Sequence, residues 1–238
     1  MINAFYKKYQ KHFDVSENNF AHFVMWSCGG ICIGFVIGLV GIAFHLALEW
    51  ATEFRTAHPM LLWLLPFGGL AIVLAYRLAG QEKDRGTNFI LVAVRANEAV
   101  TLRTAPLIFF STVVTHLLGG SAGREGAALQ LGGSIASSFG RIFQLNEREG
   151  RIMTMCGMAA GFAALFGTPL TSVIFAMEVI TVGVMHYSAI VPCIISALVA
   201  AGLSQAVGIA PTTFSIAHIP ATVGLVHCFR AAVLGVLC

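Results

Sequence analysis

Charge is what this chain of 238 residues has least of. Its 14 Lys and Arg and 11 Asp and Glu make up 11% of the sequence, against about a quarter in an ordinary soluble domain. That scarcity excludes a soluble globular protein. A formal net charge of +3 is too small to argue for nucleic acid as a partner, and no nucleic-acid motif is present. Zinc-type spacing is also missing. Cys28 and Cys32 are four apart without further His or Cys company, and no two of His45, His116 and His186 share metal-ligand spacing. No organic cofactor or metal is implied. A cleavable signal is not expected either, since the first apolar span follows a polar start of about 20 residues and is too long for a signal core. What remains is apolar: 57% hydrophobic residues and 25 glycines, with a mean hydropathy of +0.82. Abundant glycine suits closely packed membrane helices. The chain reads as an all-α, multi-pass integral membrane protein of the cell membrane.

Residues 1–22 form a polar N-terminal segment with Lys7, Lys8 and Lys11 set among Phe5, Tyr6, Tyr9 and Phe13. That pattern fits an amphipathic helix on a membrane face or a simple basic tail, and either marks the cytoplasmic side. Residues 23–238 are expected to form the membrane domain. Its first span, Phe23 to Trp50, carries Gly30, Gly34, Gly38 and Gly41 at intervals of three or four, a groove for a neighbouring helix. Thr52 to Pro59 is expected as an external loop and Met60 to Leu78 as the returning span. Arg77, Lys83 and Arg85 then fall on the cytoplasmic side with the first basic cluster. The six cysteines lie mostly in apolar segments and are expected to be small buried residues.

Further along, Phe89–Val94, Thr104–Leu118 and Ala127–Phe143 are short or cut by Gly and Pro. They fall below the roughly 20 residues of a full span. Such interrupted segments point to broken helices around a binding site. Met153 to Phe166, a turn at Gly167-Thr168-Pro169, Leu170 to Met185, Ala189 to Val207 and a start at Ala221 follow. The sequence stops inside an apolar segment at Cys238, so a fragment of a longer protein is expected.

The most informative segment is Gly119-Gly120-Ser121-Ala122-Gly123-Arg124-Glu125-Gly126. A charge at membrane depth is expensive and by default marks a functional path. The apolar run after Gly126 reads as a helix whose amide-rich start faces the glycine break. Such a start attracts anions, and a carboxylate beside it can occupy the same position. Pairing of Glu125 with Arg124 would satisfy both charges without transport, but adjacent helical residues do not face each other.

With Gln130-Leu131-Gly132-Gly133, with Gly157-Met158-Ala159-Ala160-Gly161-Phe162 through Phe166-Gly167-Thr168-Pro169-Leu170, and with Phe175-Ala176-Met177-Glu178, this segment resembles the CLC family of chloride channels and proton-coupled anion transporters. The resemblance extends from about Gly30 to Pro211. It implies an inverted-repeat membrane fold with half-helices aimed at a central anion. This chain supplies the first repeat and the start of the second, and the complete protein is a homodimer. The family's later Gly-x-Phe-x-Pro loop and central tyrosine have no counterpart here. Glu125 is implied as the gating and proton-exchanging glutamate. Gly86, Thr87, Asn88 and Phe89, together with Gly123, Arg124 and Gly126, are implied as anion-binding, though Arg124 also fits a structural role on loop carbonyls. Thr87 and Asn88 also fit helix caps.

Two departures bear on which anion is carried. Chloride-type members carry Gly-Ser-Gly-Ile-Pro where this chain has Thr87 and Asn88 and no proline. A second acid after the position of Glu178 marks proton-coupled chloride transporters, and Val179 stands there instead. The first departs from the chloride type. The second acid is lacking both in chloride channels of the family and in its fluoride-exporting subgroup. Gly119 through Gly126, Phe166-Gly167-Thr168-Pro169 and Glu178-Val179 resemble the fluoride-type branch. A small inorganic anion (fluoride or chloride), the proton and the lipid bilayer are therefore the expected partners. A chloride channel of the voltage-gated type without proton coupling, and a non-transporting half-protein, stay open as alternatives. A further rival is an intramembrane serine hydrolase, since Gly119-Gly120-Ser121-Ala122-Gly123 matches Gly-x-Ser-x-Gly with His186 as a candidate base.

Overall fold

The computed structural model describes residues 19–81, 86, 90–92, 100–180, 186–209 and 224–237. The first helix, α1, runs from Asn19 to Ala57, 39 residues or about 58 Å of rise. It is therefore longer than the span expected from hydropathy, and Thr52–Ala57 is helix instead of loop. The threonines there do not oppose helix. Thr52 Oγ1 donates to the Leu48 carbonyl at 2.8 Å and Thr56 Oγ1 to that of Glu53 at 2.7 Å, so both hydroxyls are satisfied within it. The break falls at His58, which is held at φ −128° and ψ 74° before Pro59, as the residue before a proline must be. A 3-10 turn over Pro59–Leu64 reverses the chain into α2, Leu65–Leu78.

Five helices follow: α3 (Thr104–Leu117), α4 (Arg124–Ile142), α5 (Glu147–Phe166), α6 (Pro169–Glu178) and α7 (Ile190–Ala206), the last preceded by a 3-10 turn over Tyr187–Ala189. The final described element is α8, Leu225–Leu237. Pro106 lies in the first turn of α3, where its missing N–H costs nothing, so it does not cut the helix. Gly132 and Gly133 likewise leave α4 unbroken. Of the segment expected over Leu170–Met185, helix is described to Glu178, with a turn at Val179 and Ile180. Ten residues rise about 15 Å, half a bilayer. Residues 181–185 lie outside the described residues.

The helix α5 begins six residues before the apolar run that announced it. Asn146 Oδ1 accepts from the Glu149 amide and Glu149 Oε2 from the Asn146 amide, both at 3.0 Å. This reciprocal cap fixes the start in polar residues. Gly167, at φ +64°, ends α5 in the left-handed conformation that favours glycine. Thr168 and Pro169 then open α6.

The core is built around α5, whose residues Ile152 to Leu165 are buried apart from Phe162. Small residues bring the helix axes together. A Cβ on Gly132 would strike the Gly157 carbonyl, and one on Gly157 the Gly132 carbonyl. The glycine stripe of α1 does what its spacing predicts. Cβ atoms on Gly30 and Gly34 would come within 2.9 and 2.5 Å of the Pro192 and Ser196 carbonyl oxygens of α7. One on Gly41 would come within 2.7 Å of Ala164 of α5. Serines tie α7 to α5: Ser196 Oγ donates to the Cys156 carbonyl at 3.0 Å and Ser204 Oγ to that of Ala164 at 2.6 Å. By contrast, Gly68 is the one buried residue of α2, and every described side chain of α8 is exposed. Cys156 and Cys193 are buried with their sulfurs 3.6 Å apart, whereas Cys28, Cys32 and Cys228 are exposed. Burial was expected for Cys28 and Cys32, but the glycine face of α1 makes the interhelical contacts and turns these cysteines outward. Among the described residues, Phe23–Ala57, Pro59–Leu78 and Tyr187–Ala206 are long and apolar enough to cross a membrane.

Candidate functional site

Residues 118–123 link α3 to α4. Gly119, at φ +84°, lets Gly120 N–H turn back to the Thr115 carbonyl at 2.8 Å, which closes α3. Gly123 is the N-cap of α4, extended at φ −71° and ψ 129°, with no side chain to bond the amides that follow. The helix starts at Arg124, three residues earlier than its apolar run indicates. Glu125 and Gly126 therefore belong to its first turn. The amides of Gly123, Arg124, Glu125 and Gly126 have no acceptor within the helix, and the helix dipole adds positive potential there.

The carboxylate of Glu125 folds back over this end. Its Oε2 lies 3.3 Å from where a Cβ on Gly123 would stand, so glycine at 123 leaves room for it. Glu125 is exposed and Arg124 half-buried. Among the described residues neither makes a side-chain hydrogen bond or ion pair, and the ion pair observed is His45 with Glu49 at 3.9 Å. Arg124 thus does not neutralise Glu125, nor does it bond loop carbonyls as its structural reading required.

The other loop implied by the sequence is represented by Gly86, exposed and at φ +67°. Thr87, Asn88 and Phe89 lie outside the described residues. The Nε2 of Gln130 is 3.8 Å from where a Cβ on Gly86 would stand, so α4 carries both Glu125 at its start and a contact to this loop. Five residues along the helix separate the two by about 8 Å. Gln130 is 6% exposed, and its amide in an otherwise apolar stretch is the signal that marks it. The sequence reading had used it only as part of a motif.

The remaining candidates stand apart. Glu178 is exposed at the end of α6 and anchors nothing: among the described residues it makes no side-chain hydrogen bond. His116 Nδ1 pairs with the Thr112 carbonyl at 2.8 Å. His186 has no side-chain bond among the described residues. Ser121 is exposed in the link, with no strand before it and no bond to His186, so the geometry of a serine hydrolase is not formed. Among the described residues no cluster of His, Cys, Asp or Glu could hold a metal.

Membrane-length helices packed on a glycine-lined core, with a half-length α6 and an open helix start at Gly123, define a multi-pass helical membrane protein. A family model described as voltage gated chloride channel matches residues 67–238, and the chain belongs to that family, the CLC proteins, which are transporters and not enzymes. It is 40% identical over 188 residues to a chloride/fluoride channel protein of Pseudomonas syringae pv. tomato, covering 79% of this chain and 42% of that one. It is 34% identical over 160 residues to the H(+)/Cl(-) exchange transporter ClcA of Cronobacter sakazakii, covering 61% and 34% respectively. The chain thus spans less than half the length of these curated relatives. A crystal structure of a CLC-type fluoride/proton antiporter superposes with a TM-score of 0.82 at 31% identity, over 93% of this chain and 56% of that one. A slow cyanobacterial Cl-/H+ antiporter shares the fold at a TM-score of 0.67 and 21% identity, over 89% of this chain and 53% of that one.

Proposed function

We propose that this chain forms the first part of a CLC-type anion pathway, carrying fluoride or chloride, with Glu125 as its gate and proton carrier. The observation that supports this most is the Glu125 carboxylate lying over the unpaired amides at Gly123. From there it can compete with an anion for those amides, and among the described residues its side chain makes no hydrogen bond or ion pair. Protonation removes its negative charge, frees the helix start and lets the carboxyl swing aside. Gly86, Thr87, Asn88 and Phe89 would supply the second face of the site, and Gly123, Arg124 and Gly126 the first. Residues 1–22 would lie on the cytoplasmic side, residues 23–238 in the bilayer, and the complete protein would be a homodimer.

Of the two anions we read fluoride as the one carried, while H(+)/Cl(-) exchange transporters are also similar to this chain. A chloride/fluoride channel protein and a fluoride/proton antiporter are both similar to this chain at 31% identity or more. Val179 in place of a second acid, and Thr87 and Asn88 in place of the chloride-type serine loop, agree with it. Fluoride is strongly hydrated, so its site needs dense donors such as those hydroxyl and amide groups.

The test is efflux from liposomes containing the complete protein, loaded separately with fluoride and chloride, with external pH recorded. Fluoride-selective efflux with proton uptake is expected. Efflux without proton movement would establish the channel alternative. Absence of flux from folded protein would leave the non-transporting reading. Glu125→Gln, a permanent mimic of the protonated acid, is expected to abolish proton coupling while anion flux continues.

A further inference from the structure

Between α2 and α3 lies an open groove of about 460 Å³. Its floor is Ala71 and Ala75 of α2 and Ala79, which caps that helix, one turn apart, and its wall includes Leu107 and Phe110 of α3. From Ala71 to Ala79 it runs about 12 Å along the helix. Ser111 also lines it, but its hydroxyl donates to the Ile108 carbonyl at 3.2 Å, which leaves the middle of the groove apolar. One end carries the charge. Gln81 Nε2 donates to Thr101 Oγ1 at 2.9 Å and ties the end of α2 to the entry of α3. Arg103, the residue before α3, lines the groove at that end, and Tyr76 lines it beside Ala75. Arg103 is exposed, and among the described residues no carboxylate pairs with it.

We propose that this groove binds an anionic phospholipid, with one acyl chain on the alanine floor and the phosphate at Arg103. The charge pattern selects that occupant. An apolar trough ending in a cation matches the profile of a lipid at a membrane interface, where arginine anchors. A zwitterionic lipid would fill the trough equally well but gain less from the guanidinium. Arg77 in the last turn of α2 and Lys83 and Arg85 after it in sequence put this end on the cytoplasmic side by the positive-inside rule, and that leaflet is anionic. The proposal does not depend on which anion the protein carries.

The test uses the complete protein in detergent micelles, with dioleoyl phosphatidylglycerol or dioleoyl phosphatidylcholine added in equal amount. Lipid retained on the protein is counted by native mass spectrometry, and the unfolding midpoint is followed in parallel. Phosphatidylglycerol is expected to be retained in preference. Arg103→Gln should reduce that preference about five-fold, the worth of one cation near a membrane surface. Ala75→Leu, which fills the floor, should reduce retention of both lipids while the unfolding midpoint without added lipid stays unchanged. Equal retention of the two lipids by the wild type, or an unchanged preference in Arg103→Gln, overturns the proposal. So does protection of an Ala75→Cys thiol from a lipid-soluble maleimide in delipidated protein, because another protein segment would then cover the groove.

Discussion

Alanine at position 132 would put a methyl group onto the Gly157 carbonyl oxygen, and alanine at 157 would do the same in reverse. The obstacle is backbone, which cannot turn away as a side chain can. Gly132→Ala is therefore expected to force α4 and α5 apart and to destabilise the protein by about 3 kcal/mol, the upper end of overpacking costs. A lowered unfolding midpoint and a smaller monodisperse fraction after detergent extraction would register it. Gly69→Ala is the matched control. Nothing lies within 4 Å of a Cβ there, so the same change in α2 should be neutral or stabilise by up to about 1 kcal/mol through helix propensity. Equal losses in the two variants would refute the close-contact account. At this scale the sequence made Glu125 visible, because a charge among glycines in an apolar chain is conspicuous. It did not show that Gln130 reaches the Gly86 loop, since a lone amide in a motif says nothing about what it faces. Nor did it separate Cys156 from Cys28, because both sit in apolar runs and only packing decides which face turns inward.

Helix ends were harder to read than helix middles, and the caps explain why. Hydropathy placed α5 from Met153, but its start is set by the Asn146–Glu149 box in a polar stretch. Asn146→Ala is expected to cost about 1 kcal/mol and to speed amide exchange over residues 147–150. Unchanged exchange there would mean that packing against α4, not the cap, holds the first turn. The same reasoning applies to α1, which outran its apolar span because Thr52 and Thr56 satisfy their hydroxyls inside the helix. The glycine stripe of α1, by contrast, was legible in full. A repeat every three or four residues defines one helix face whatever the ends do, and that face meets α7 and α5.

For the molecule as a whole, fold class followed from composition, since only helices or closed barrels satisfy the backbone in lipid and the apolar segments are too long for strands. Which helices lie inside did not follow, because α2 and α5 are both apolar, yet one is nearly all exposed and the other nearly all buried. On the proposed mechanism, anion flux through the complete protein rises as external pH falls, because protonation of Glu125 opens the helix start. Glu125→Gln should flatten that dependence, and a pH profile identical to wild type would remove Glu125 from the gate. The Gly132–Gly157 contact also sets a clock. With α4 held backbone to backbone against α5, the gate has only a side chain left to move. Rotamer changes take picoseconds to nanoseconds, whereas displacement of packed helices takes microseconds to milliseconds. Turnover would then be paced by the arrival of protons and the dehydration of the anion, not by displacement of helices.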